Sequence, residues 1–333
     1  MKLVISHISA AEFWRKVYPA SRAPQRSFAS HAVKPDEIAL SAKDIQPLVP
    51  TWATKEFLAP EQGILHILSF RNGEGRQTSN HQCHVHTGIL PPGSLYALNE
   101  DVFVCSPEFV FLQLAQSLSR AQLIAYGYEL CGTFSFDASA ERGFTNRKQP
   151  LVNIRRLTEF LQNAEGARGR KRALDAVAFI SENAASPMEA AGDMLLSLPY
   201  RLGGYGLPKL QLNYAVPIPP KLQTLFPHSY CVIDFCYPKK KFAIEYLGEH
   251  DHSGRNSMRS DRGRTLALRE LGFEVLEVSA RQVLDLDSFE IIARRVARVS
   301  GKRIRYDQFG ETDARMNLRR ALANWSARSG IAI

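Results

Sequence analysis

Two carboxylates placed across a β-hairpin are the first feature of this chain with chemical consequences. Residues 230–237 (YCVIDFCY) and 242–247 (FAIEYL) read as strands joined at Pro238-Lys239-Lys240-Lys241. With that turn as the loop, Tyr237 faces Phe242 and Asp234 faces Glu245, which sets two carboxylates about 5 Å apart on one face of a sheet. That face otherwise carries Val232, Cys236, Ala243 and Leu247. The opposite face carries Cys231, Ile233, Phe235, Tyr237, Phe242, Ile244 and Tyr246. Like charges directly opposed destabilise a sheet, and desolvation makes this worse. A shared divalent cation resolves the conflict. Hard Mg²⁺ (or Mn²⁺) takes one or two carboxylates together with water and phosphate oxygens, polarises a phosphodiester and lowers the pKa of an attacking water. A lysine or arginine bridging the pair resolves it as well. The reading depends on register, because a slip of one residue separates the two side chains.

Further residues extend this constellation. Glu189 is a candidate third carboxylate, reaching in from the preceding helix. It also stands at the third position after Ser186, where a glutamate binds its own helix terminus, and the two roles are hard to combine. Beyond the second strand runs Gly248-Glu249-His250-Asp251-His252, in which His252 is a candidate general base or water-orienting group, or a solvated loop histidine. Arg255, Arg259 and Arg262 follow at helical spacing on one face. With Lys239, Lys240 and Lys241 they form a basic rim suited to a phosphate backbone, and equally to solubility.

A second cluster, His81-x-Cys83-His84-x-His86, puts His84 and His86 on one face of a strand, where two zinc ligands are conceivable. No matching pair with zinc-finger spacing lies nearby. Phosphate-binding glycine loops are missing from the sequence.

Several elements must position these groups. Ser9 to Tyr18 reads as a short helix capped by Ser9. Residues 63–70, 82–90 and 100–105 read as strands, with Pro91-Pro92-Gly93 marking a turn. Ser106-Pro107-Glu108 opens a helix to about Gly127, which makes residues 1–150 a mixed α/β domain. Residues 150–185 are helical and basic (Arg155, Arg156, Arg168, Arg170, Lys171, Arg172) and read as a connector, its charge a solvated face or a phosphate contact. Ser186-Pro187-Met188-Glu189 starts a helix that stops near Pro199. A strand over 210–218, the hairpin, a basic helix over 256–271 ended by Gly272, a strand over 273–278 and a helix capped by Asp287-Ser288 follow. The order is α-β-β-β-α-β-α over 186–305, and residues 306–333 are a tail with helical propensity.

The composition is that of a globular chain: 333 residues, 45% apolar and 23% charged, enough for about two domains of roughly 100–200 residues. The balance of 42 Lys+Arg against 33 Asp+Glu gives a net charge of +9, which favours a polyanionic partner, nucleic acid first. Five scattered cysteines argue against a disulfide framework or a zinc ribbon and read as reduced thiols in a cytoplasmic protein. The sequence carries no signal-peptide pattern and no stretch approaching a membrane span.

At the hairpin the sequence resembles the PD-(D/E)XK, or restriction-endonuclease-like, superfamily, and within it the very-short-patch-repair-like endonuclease-domain branch of bacterial proteins. The stretches that carry the resemblance are VIDFCYPKKKFAIEYLGEHDHSG and SDRGRTLALRELGFEVLEVS, with SPMEAAG resembling the first helix of that family. The matching positions are Glu189, Asp234, Pro238, Glu245, His252, the helix over Asp261–Arg264 and the strand from Gly272 to Val275. The resemblance implies an α/β (α+β) restriction-endonuclease-like domain over about 186–305. It also implies Mg²⁺-dependent hydrolysis of DNA, with Glu189, Asp234 and Glu245 holding the metal and His252 activating or orienting water. One position departs from the pattern. Where the superfamily has a lysine two residues after the glutamate, and this branch often an acidic residue, the chain has Leu247. Lys239, Lys240, Lys241 or His252 then substitutes for it, or the site has lost catalysis and keeps DNA binding. The first half, through ILHILSF, HVHTG and VFVCSPEFVFLQLA, more weakly resembles proteins with a region like the AbiEi-type antitoxins. That implies a phage-defence or toxin–antitoxin context with a cognate toxin or other protein as partner.

The sequence therefore leads to two principal expectations, a metal-dependent endonuclease acting on DNA and a catalytically degenerate DNA-binding or antitoxin-like regulator on the same scaffold. An interaction module for a protein partner, with the basic charge incidental, is the third.

Overall fold

Short apolar runs of the first half assemble into one mixed sheet, although they are scattered over a hundred residues. A computed structural model describes residues 1–17, 37, 38, 45, 48, 64–73, 76–247, 255–304 and 311–327. The chain divides into two units, Met1–Cys131 with Ser135–Ile180, and Gly132–Phe134 with Ser181–Ile333. The architecture is mixed α/β.

The first unit contains β1 (Leu3–Ile5), α1 (His7–Val17), β2 (Leu65–Ser69), β3 (Arg76–Gln77), β4 (His81–Val85), β5 (Leu95–Ala97) and β6 (Val102–Cys105). After these come α2 (Pro107–Leu114), α3 (Arg120–Cys131), β7 (Phe134–Phe136), β8 (Phe144–Asn146), α4 (Ile154–Asn163) and α5 (Arg170–Val177). Its six-stranded sheet has the order β3-β4-β2-β1-β6-β5. β1 is parallel to β6 and antiparallel to β2, and β2 is parallel to β4. β1, β2 and β6 are buried throughout, as their nearly continuous apolar runs require.

Three local expectations shift. The first helix starts at His7, not Ser9, and the Ser9 hydroxyl instead accepts the His66 backbone N–H at 2.9 Å. The helix opened by Ser106 ends at Leu114 and a separate one begins at Arg120. The basic segment over 150–185 is no free connector, because its helices belong to the first unit through Ile180. Its arginines explain this. Arg170 donates to the carbonyls of Leu161 and Gln162, Arg172 to those of Gln116 and Leu118, and Arg156 pairs with the buried Glu108 at 2.5 Å. These cations bind the backbone and a carboxylate of their own unit.

The second unit runs α6 (Pro187–Ser197), β9 (Gln211–Pro217), β10 (Tyr230–Tyr237), β11 (Phe242–Leu247), α7 (Arg255–Glu270), β12 (Glu274–Ser279), α8 (Ala280–Leu284), α9 (Leu286–Ser300) and α10 (Glu311–Ala327). Its sheet order is β12-β11-β10-β9, an antiparallel meander with β12 added in parallel to β11. α9 is capped by Asp285, whose carboxylate accepts the Ser288 N–H at 2.8 Å, so the cap lies two residues before the expected Asp287. The expected tail is part of the unit. A Cβ at Gly203 would come within 2.3 Å of the Ala314 carbonyl oxygen of α10. Arg315 stacks over Tyr205 at 4.4 Å, and Arg319 donates to the carbonyls of Val283 and Leu284. Among the described residues no helix is long and apolar enough to cross a membrane.

Candidate functional site

The start of α6 folds as its sequence dictates. Ser186 caps the helix, Pro187 occupies its first turn, and the Ser186 hydroxyl accepts the Glu189 N–H at 3.1 Å. The Glu189 carboxylate turns back. Oε1 accepts from the Ser186 hydroxyl at 2.8 Å, and Oε2 accepts from the Ala185 N–H at 2.8 Å and from Asn213 Nδ2 at 2.5 Å. Glu189 is thus a capping residue, yet it is also buried and close to Asp234. Burial, and then the charge of Asp234, push its carboxyl up to about 7 against the pull of those three hydrogen bonds. The capping role and proximity to the hairpin carboxylate coexist.

The hairpin forms in the expected register. Phe235 pairs with Ile244, Cys236 with Ala243 and Tyr237 with Phe242. The ladder then ends one residue short of Asp234 and Glu245. Asp234 Oδ2 accepts the Tyr246 backbone N–H at 2.7 Å, so a side chain takes the place of a strand carbonyl. Glu245, 2% exposed, meets Arg264 of α7 at 2.7 Å. Each carboxylate takes a partner of its own, as repulsion between opposed like charges favours. Asp234 turns to an amide and to the Glu189 side, while Glu245 turns to an arginine. Glu245 also lies beside Glu277 in the parallel ladder to β12, which increases the demand for that guanidinium.

The face assignment changes with it. Cys231 and Ile233 share a buried cluster with Cys236, Ala243, Ala267 and Leu268, which strict alternation along β10 forbids. Phe235 lies elsewhere, its ring 3.0 Å from the Cβ position of Gly192 in α6. The pleat is interrupted between Ile233 and Phe235. On the partner strand the residue opposite Asp234 is Asn213, and its φ of 48° is left-handed.

The remaining expected residues do not gather at this point. Lys239, Lys240 and Lys241 are exposed on the hairpin turn, which starts four residues, roughly 13 Å, along the strand from Asp234. Lys241 lies over the Phe273 ring at 4.6 Å. Arg262 is exposed on α7; Arg255 and Arg259 lie in the same helix, their side chains outside the described residues, as is His252. One turn beyond Glu189 lies the fully buried Asp193. Its charge acts on Tyr237, raised chiefly by burial, and on Lys209, whose ammonium burial pushes down. Sequence reasoning missed Arg264 and Asn213. Arg264 was detectable, because it precedes the buried Ala267 and Leu268 by three and four residues and so shares their helix face. Asn213 gave no signal in an alternating strand.

In the first unit the histidines separate otherwise than their spacing suggests. His84 leaves His86, which is set edge-on to Phe109, and joins His66 and His7 from β2 and α1. His66 Nδ1 and His84 Nε2 are 2.8 Å apart, and the His7 ring stacks on that of His84 with centroids 3.5 Å apart. Burial first, then neighbouring imidazoles, keep His7 well below its ordinary pKa and bring His84 down to about 4. Burial alone lowers His66. All five cysteines are buried and none forms a disulfide. Among the described residues no group of three or more His, Cys, Asp or Glu side chains is arranged to hold a metal ion.

No protein-family profile, curated protein or solved structure matches the chain.

Proposed function

We propose that the second unit is a restriction-endonuclease-like domain that hydrolyses phosphodiester bonds of DNA with a divalent metal ion. The observation that carries this reading is the Glu189–Asp234 pair, two carboxylates from different elements so close that the charge of one raises the proton affinity of the other. Their oxygens are the donors a hard cation selects, and Mg²⁺ needs only one or two carboxylates when water and phosphate oxygens complete its shell. Glu189 and Asp234 would hold it. Such an ion polarises the phosphodiester and acidifies an attacking water. Glu245 belongs to this set only when it leaves Arg264. Lys239–Lys241, Arg255, Arg259 and Arg262 would contact the phosphate backbone, and His252 would orient water. The order of helix, three-stranded meander, helix, parallel strand and helix supports the reading. The weaker likeness of the first unit to AbiEi-type antitoxins extends the proposal to a phage-defence setting with a protein partner.

A second reading, nucleic-acid binding without catalysis, is favoured by Leu247 and by the Glu245–Arg264 ion pair. Incubation of plasmid, single-stranded DNA and RNA with the full chain and Mg²⁺ or Mn²⁺ separates the two. Cleavage that Asp234→Asn lowers roughly a thousandfold is expected. Cleavage unaffected by Asp234→Asn overturns the proposal. So does salt-steep binding with no cleavage under either metal, and that outcome establishes the second reading.

A further inference from the structure

Asn213 is, among the described residues, the only non-glycine residue inside a strand with a left-handed backbone. That conformation costs free energy in any L-residue, least in asparagine, and persists only where its surroundings impose it. Both strands change face at this point. Tyr214, Val216 and Ile218 face the cluster of Ala267 and Phe273. Leu212 pairs with Phe235, which packs towards Gly192. The carboxamide nitrogen has two acceptors: Nδ2 donates to the Asn183 carbonyl at 2.7 Å and to Glu189 Oε2 at 2.5 Å.

We propose that Asn213 is a positioning residue for the Glu189–Asp234 pair, its left-handed backbone turning β9 and β10 so that Asp234 reaches Glu189, and its carboxamide fixing the Glu189 carboxylate. The chemistry explains the residue type. Glycine would accept the backbone and supply no donor. Aspartate would set a further carboxylate against Glu189. Alanine would lack the donor and strain the turn. The inference rests on the nuclease reading only in taking this pair as the reactive site.

The test uses the full chain and four proteins: wild type, Asn213→Gly, Asn213→Ala and Asn213→Asp. Mn²⁺ affinity is measured by calorimetry, and stability by denaturant unfolding. Asn213→Gly is expected to keep a cooperative fold and to lose less stability than Asn213→Ala, yet to bind Mn²⁺ roughly tenfold more weakly, as removal of a partner that orients a metal ligand does. Asn213→Asp is expected to unfold most readily in neutral solution and to regain stability when combined with Glu189→Gln, which restores a donor–acceptor pair. Undiminished Mn²⁺ affinity in Asn213→Gly overturns the inference. If the wild type binds no Mn²⁺, the metal reading fails by itself. Asn213 is then judged on the unfolding cycle with Glu189→Gln, where additive effects overturn the inference and non-additive effects sustain it.

Discussion

The histidine cluster of the first unit and the carboxylates of the second crowd like groups together and relieve the crowding in opposite senses. His7, His66 and His84 shed protons and stack as neutral rings, His66 and His84 sharing a hydrogen bond. Glu189 instead tends to keep its proton beside Asp234, while Glu245 stays close to an arginine. In the histidine arrangement the rings satisfy part of their needs among themselves: His66 Nδ1 and His84 Nε2 bond to each other, and His7 Nδ1 meets the Ser6 hydroxyl. In the carboxylate arrangement the charge of Asp234 raises the proton affinity of Glu189. This difference, rather than the number of ligand-type residues, is why we propose the second unit as the place for chemistry.

The largest effect that tests the comparison is at Glu245. Arg264→Met leaves a buried carboxylate without its cation and is expected to cost about 3 kcal/mol in denaturant unfolding. Adding Glu245→Leu should recover most of it, because a well-packed apolar pair replaces a buried ion pair at little cost. A double variant as unstable as the single one would show that the guanidinium acts by packing alone.

Next in size is the response to acid. The unfolded chain binds protons on these histidines near their ordinary pKa, while the folded one resists. Their contribution is therefore complete above about 6.5 and is lost as pH falls towards the lowered folded values, about 4 for His84, by about 1.4 kcal/mol per pH unit for each titrating group. His84→Leu should flatten that slope in thermal unfolding followed by first-unit tryptophan Trp14. An unchanged slope would place acid sensitivity elsewhere.

Glu189 has the opposite sign. Its folded pKa is raised, so its contribution is complete below the ordinary carboxyl value and is lost as pH rises through about 7. Asp234→Asn should remove part of the repulsion and stabilise the second unit by about 1 kcal/mol in mildly alkaline solution, with little effect in acid. Equal effects at both pH values would contradict the coupling. The smallest net change is Gly192→Ala, where displacement of the Phe235 ring is expected to offset the roughly 0.5–1 kcal/mol that alanine gains over glycine inside a helix. A stabilisation by that full amount would mean that Phe235 does not pack on α6.

What the sequence revealed was local. The hairpin register followed from the turn at Pro238–Lys241, and the Ser186 cap of α6 from Ser186 and Glu189 three residues apart. What it hid depends on distant partners or on backbone conformation. Nothing in the spacing of His81, His84 and His86 brings His7 and His66 to His84. Strict alternation through Leu212, Tyr214 and Val216 conceals the left-handed Asn213, and with it the change of face along the two strands. The α9 cap fell on Asp285 and not on the expected Asp287 because both aspartates precede the apolar period and only Asp285 accepts the Ser288 N–H. Arg170 and Arg172 looked like part of a solvated run because the carbonyls they bind lie on other elements or earlier turns, whereas Arg155 is indeed exposed.

The most direct measurement is the side-chain ¹³C carboxyl titration of Glu189 in wild type and Asp234→Asn, each with and without Mg²⁺. The account predicts a midpoint near 7 in the wild type, a lower one in Asp234→Asn, and a fall on adding Mg²⁺ to the wild type but a much smaller one in the variant. An ordinary carboxyl midpoint in both proteins, indifferent to Mg²⁺, would contradict it.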